Sequence, residues 1–204
     1  MDLKKLRRKL RRMVRKHRVW LVLGLAAVLL AALILLLPSE EEREITYDYE
    51  GFLNELGFRE SSNRYDIVNR FGYMGRYQMG KLALREAGFM NEDGSWTALA
   101  NSYGIYSRED FLNSPAGQDA AVRAYHARTY YYIKALGLEK YVGTVYCGIP
   151  VTESGLLAAC HLVGVVGIKK GLETGQHVYD GNNVSASVYM ELFAGYDISE
   201  IWTD

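Results

Sequence analysis

Residues 19–37, VWLVLGLAAVLLAALILLL, are nineteen consecutive uncharged and almost wholly apolar positions. Wound as a helix at about 1.5 Å per residue, this run is roughly 28 Å long, close to the hydrocarbon thickness of a bilayer. A helix apolar on every face does not suit the surface of a globular domain. A single membrane-spanning helix over 19–37 is therefore expected. The flanks orient it. Residues 1–18 hold ten Lys or Arg against Asp2, whereas Glu40, Glu41 and Glu42 follow the run. The excess of positive charge predicts a cytoplasmic amino terminus, with the remainder of the chain outside.

The basic tail also has Leu3, Leu6, Leu10 and Val14 at helical spacing. Beside a membrane span, such a tail is expected to lie against anionic lipid headgroups rather than nucleic acid. The net charge of zero conceals a division, because residues 19–204 carry 14 basic and 23 acidic groups. The outer portion is thus acidic, and a nucleic-acid partner is not expected. A cleavable signal would have a shorter apolar region and a small-x-small site. Here the run ends in LLLPSEEE, which favours an uncleaved anchor.

Residues 38–46 read as an acidic linker, and 47–204 as one domain of predominantly helical α+β class. Helices are expected near 47–59, 81–88, 114–136 and 185–193, with another from Thr152 or Ser154 that Gly164 and Gly167 interrupt. The stretch 59–80, RESSNRYDIVNRFGYMGRYQMG, ends a helix and continues as a glycine-punctuated turn or hairpin. Cys147 and Cys160 would either pair in an oxidising compartment or remain as small buried thiols. The four histidines are scattered and no CxxC or calcium-loop pattern occurs. Neither a metal nor a cofactor is expected.

Glu60 is the candidate catalytic residue. A helix-end glutamate is ordinarily a solvated charge; its spacing to Asn69 and to Gly75-Arg76-Tyr77-Gln78 singles this one out. Glu followed by Ser, then Asn, then Gly-x-x-Gln resembles the lysozyme-like lytic transglycosylases that cleave peptidoglycan. The resemblance spans most of 47–198, and 60–80 is its specific part. It implies a lysozyme-like domain acting on glycan strands, anchored in a bacterial inner membrane and facing the periplasm. Glu60 would protonate the glycosidic oxygen and then act as base while the muramic acid 6-hydroxyl closes a 1,6-anhydro ring. Glycosidic acids of this kind need a raised pKa, typically about 6 in an apolar pocket.

The resemblance also implies substrate contacts from Ser61, Ser62, Asn69, Tyr73, Tyr77, Gln78 and His161. Ser62 stands where glycine is commoner in the family. Arg76 and Tyr77 replace its Leu and Met. Residues 160–164 match its Ala-Tyr-Asn-Ala-Gly only at Gly164, with His161 in place of the tyrosine. Sixteen tyrosines, Tyr65, Tyr103 and Tyr106 among them, offer further rings for stacking on sugars. A hydrolase would need a second carboxylate, for which Asp66 is the nearest candidate. The alternatives are therefore a muramidase or phage-type endolysin, and a non-catalytic module that binds peptidoglycan within an envelope protein complex.

Overall fold

The computed structural model describes residues 46–202, and the chain divides into two units between Glu44 and Ile45. The expected tail, transmembrane helix and all but the last residue of the linker lie outside the described residues. What is described is predominantly helical with one small antiparallel hairpin. The chain order is α1 (Tyr49–Ser61), α2 (Lys81–Glu86), α3 (Ala98–Ser102), α4 (Arg108–Leu112) and α5 (Pro115–Ala135). A 3-10 turn (Leu138–Tyr141), β1 (Val145–Tyr146), β2 (Ile149–Pro150), α6 (Glu153–Thr174), α7 (Ala186–Leu192) and a last 3-10 turn (Ser199–Trp202) complete it.

Local chemistry fixes the helix starts. Asp48, Ser114 and Thr152 each accept a hydrogen bond from a backbone N–H of the first turn of α1, α5 and α6, satisfying donors that have no partner within the helix. Pro115 follows Ser114 with its φ already suited to a helix. α1 runs to Ser61, two residues beyond the expected end, so Glu60 stands in its last turn. Ser62 and Asn63 then take left-handed backbone (φ 56° and 59°) and return their N–H groups to Phe58 and Gly57. That conformation is the physical reason a glycine would sit easily at 62.

The paired strands are not in the 59–80 stretch. There, Val68, Met74 and Met79 make single bridges, whereas the regular hairpin is Val145–Tyr146 against Ile149–Pro150. Its turn residues, Cys147 (φ 50°) and Gly148 (φ 83°), have the positive φ values of a two-residue turn whose twist matches the strands. Cys147 and Cys160 are both free thiols, which closes the disulfide alternative.

α6 is the central element. Leu157 and Ala158 join a core formed with Phe52, Leu53 and Leu56 of α1, while Leu156, Ala159 and Cys160 face a second core with Ile133, Leu138 and Met190. Serving two cores makes this helix apolar around its circumference. Among the described residues it alone is long and apolar enough to cross a membrane, yet Leu156 to Cys160 are buried inside the domain. The helix bends at Gly164, whose backbone (φ 74°, ψ 155°) is not helical.

Leu157 is 0% exposed and Val166, on the same helix, 74% exposed. Leu157→Ala is expected to cost about 2–5 kcal/mol of unfolding free energy, and Val166→Ala less than about 0.5 kcal/mol, in urea titrations.

Candidate active site

The loop that follows Glu60 is tied down by Arg76. Its guanidinium donates to Asn54 Oδ1 (2.5 Å) on α1, Asn63 Oδ1 (2.9 Å) and the Tyr65 hydroxyl (2.8 Å), and lies 3.5 Å from Asp119 Oδ1 on α5. The guanidinium runs so close to α1 that a Cβ at Gly57 would lie 2.5 Å from Arg76 Nε. Asp119 in turn accepts from the Tyr77 hydroxyl at 2.7 Å and from Tyr65 at 3.2 Å. A positive charge largely withdrawn from water is thereby matched by a carboxylate and three neutral acceptors.

Gln118 closes the same joint. Its amide accepts from the Arg76 N–H (2.8 Å) and donates to the carbonyls of Tyr65 (3.0 Å) and Phe111 (2.8 Å). It occupies the space that a side chain at residue 75 would need: a Cβ there would fall 1.9 Å from Gln118 Oε1, and φ is +71°. Gly75 is required twice over.

Most of the expected substrate contacts are consumed by this framework. The Ser61 hydroxyl donates to the Arg76 carbonyl (2.8 Å) and accepts from the Arg64 N–H (2.9 Å). Asn69 Oδ1 accepts from the N–H groups of Phe71 and Tyr73 and shapes their turn. The Gln78 amide donates back to the Gly75 carbonyl at 2.8 Å. Tyr77, expected to stack on sugar, is 1% exposed and is a core residue. Ser62 is exposed. Tyr73 is about half exposed, and Tyr103 and Tyr106 are also exposed.

Glu60 is half-buried, and the Tyr189 hydroxyl of α7 donates to its Oε1 at 2.6 Å. Burial, reinforced by the Glu60 charge, holds the Tyr189 hydroxyl protonated far above the ordinary phenol range. Asp66 is turned away into an ion pair with Arg64 at 3.1 Å and is 67% exposed, so it does not serve as a partner carboxylate. Asp180 contributes to the field at Tyr189, but its Oδ1 accepts from the N–H groups of Asn182 and Val184 in its own loop.

His161 is held from α6. Its Nε2 is 3.1 Å from the Tyr77 carbonyl, and its Nδ1 is 3.1 Å from His126 Nε2, whose Nδ1 meets the Tyr49 hydroxyl at 3.0 Å. Both ring nitrogens of His161 thus have partners inside the protein, which withdraws it from the expected role as a substrate ligand. Burial lowers the pKa of both histidines, that of His126 strongly; Glu60 and the Tyr77 carbonyl pull His161 back up.

No family model, curated protein or solved structure matches this chain. The site therefore rests on its own geometry. Sequence reasoning missed Tyr189, Asp119, Gln118 and His126, none of which has a local signal. Among the described residues no group of His, Cys, Asp and Glu is placed to hold a metal ion.

The fully buried His126 has a consequence for stability. As pH falls below 6.5, the unfolded chain takes up a proton that folded His126 refuses, so stability is complete above pH 6.5 and declines below it. The expected slope from this residue approaches about 1.4 kcal/mol per pH unit. Urea unfolding at pH 7.5, 6.5 and 5.5 reads it, and His126→Phe should reduce the loss between 6.5 and 5.5, leaving the part that comes from His161.

Proposed function

We propose that this protein is a membrane-anchored peptidoglycan lytic transglycosylase of lysozyme-like fold. Glu60 is its single acid and base at the β-1,4 bond between N-acetylmuramic acid and N-acetylglucosamine. The observation that carries the reading is the 2.6 Å hydrogen bond from Tyr189 to Glu60 Oε1. With Oε1 occupied by the tyrosine donor, Oε2 is the carboxyl oxygen left to face a substrate. Oε2 is then the atom that protonates the glycosidic oxygen as the C1–O bond breaks. The same oxygen, now unprotonated, takes the proton of the muramic acid 6-hydroxyl as O6 bonds to C1. Substrate supplies the nucleophile, so no second carboxylate is called for, consistent with Asp66 turned to Arg64.

The exposed rings of Phe71 and Tyr73 stand on the loop after Glu60, and Arg70 of that loop donates to Asn182 Oδ1 at 3.0 Å. Apolar ring faces beside polar groups suit the two faces of a sugar. The periplasmic location and the anchoring helix of residues 19–37 belong to the same proposal, since peptidoglycan lies outside the cytoplasmic membrane.

Digestion of purified sacculi by the full chain in detergent, with mass spectrometry of the products, is the test. Anhydromuropeptides are expected, and Glu60→Gln should abolish them. Tyr189→Phe removes a hydrogen bond to a charged group and should lower kcat about 10- to 100-fold. Reducing-end products alone would replace the reading with a muramidase, in which Asp180 is the carboxylate to substitute. Sacculus binding without turnover would make it a non-catalytic module.

A further inference from the structure

The hydrogen bonds among Tyr49, His126 and His161 have a direction that one atom dictates. The Tyr77 carbonyl only accepts, so His161 Nε2 carries a proton and, in the neutral ring, Nδ1 is bare. His126 Nε2, 3.1 Å from that bare nitrogen, must then donate, which leaves His126 Nδ1 to accept from the Tyr49 hydroxyl. The order is Tyr49 O–H to His126, His126 N–H to His161, His161 N–H to Tyr77. The rings meet edge to face, with His126 and His161 centroids 5.3 Å apart, and Tyr125 and Phe52 pack against them. Three elements, α1, α5 and α6, contribute one member each.

We infer that His126 and Tyr49 are positioning residues for the Glu60 site: they give the bare Nδ1 of His161 its donor, reinforce the Nε2–H tautomer that the Tyr77 carbonyl requires, and so hold that carbonyl and the loop beside Glu60. The groups that face the pair are Glu60 and the Tyr77 carbonyl at His161, and Tyr49, Arg123 and Tyr125 at His126. Glu60 favours a cation on His161. Accepting a proton at His161 Nδ1 would force His126 to exchange tautomers and the Tyr49 hydroxyl to turn. The relay therefore holds His161 neutral against the pull of Glu60 while keeping every nitrogen bonded. His126 is 0% exposed and touches no substrate.

This role rests on Glu60 being the acid, whereas the tautomers stand without it, and the experiment separates the two. Nitrogen-15 histidine spectra of the full chain in detergent at pH 7.5 should show Nε2–H and bare Nδ1 for both residues. His126→Phe fills the space but removes the donor; His126→Gln keeps an N–H near the Nε2 position. With Phe, the bare Nδ1 of His161 should lose its donor and show it as a shifted nitrogen-15 resonance, and kcat on sacculi should fall about tenfold at unchanged KM, the loss of one hydrogen bond. Gln should restore both. A role in packing alone predicts the opposite order, Phe ahead of Gln, and would overturn the inference. So would Nδ1–H on His161 in the wild type. If His126→Phe fails to fold, Tyr49→Phe, which deletes one oxygen, should loosen the His126 tautomer in the same spectra. A wild-type chain without turnover would remove the role at Glu60, and the spectra would still decide the relay.

Discussion

Arg76 and Tyr77 hold together what the rest of the site stands on. The Arg76 guanidinium reaches α1 through Asn54, and Asp119 of α5 through its long ion pair. Tyr77 binds the same Asp119 through its hydroxyl, while its carbonyl accepts from His161 of α6. Two consecutive residues in a loop thus connect three helices that share no sequence neighbourhood. The Arg76 guanidinium and the Tyr77 side chain are largely shielded from water, so removing Asp119 would leave a buried charge and a buried hydroxyl short of a partner, a larger loss than the bond itself contributes. The loop after Glu60 is irregular in backbone yet firmly specified.

This framework sets the environment of Glu60. Tyr189 approaches one carboxylate oxygen from α7, and His161, bonded to His126, is near enough to feel the Glu60 charge. Tyr189 makes the two oxygens of Glu60 unequal, and the proposed single-acid chemistry depends on that inequality. The histidines supply hydrogen bonds without supplying a cation. Both contributions come from parts of the chain remote from Glu60.

The helices were largely legible because their signals are local. Ser114-Pro115 and Thr152 announce α5 and α6, and Ser185 announces α7. The regular hairpin was not. A two-residue strand has too little alternation to register, and the glycine-rich stretch at 59–80 looked the better hairpin although it forms only single bridges. Side-chain roles were the least legible. Ser61, Asn69, Gln78 and His161 have donors and acceptors that suit a glycan, and a sequence does not show whether those atoms point outward or are already bonded. In the fold they are bonded inward, to the Arg76 carbonyl, the N–H groups of Phe71 and Tyr73, the Gly75 carbonyl and the Tyr77 carbonyl.

Short-range order along the chain determined the helix starts and the placement of Glu60 at the end of a helix. Each follows from capping or steric rules that act within a few residues. Only the tertiary structure decided what surrounds Glu60. Tyr189 lies 129 residues from Glu60 in sequence, and His161 lies 84 residues from Tyr77. No periodicity or propensity carries information over such separations, because these contacts exist only once the two cores shared by α6 have brought α1, α5 and α7 together.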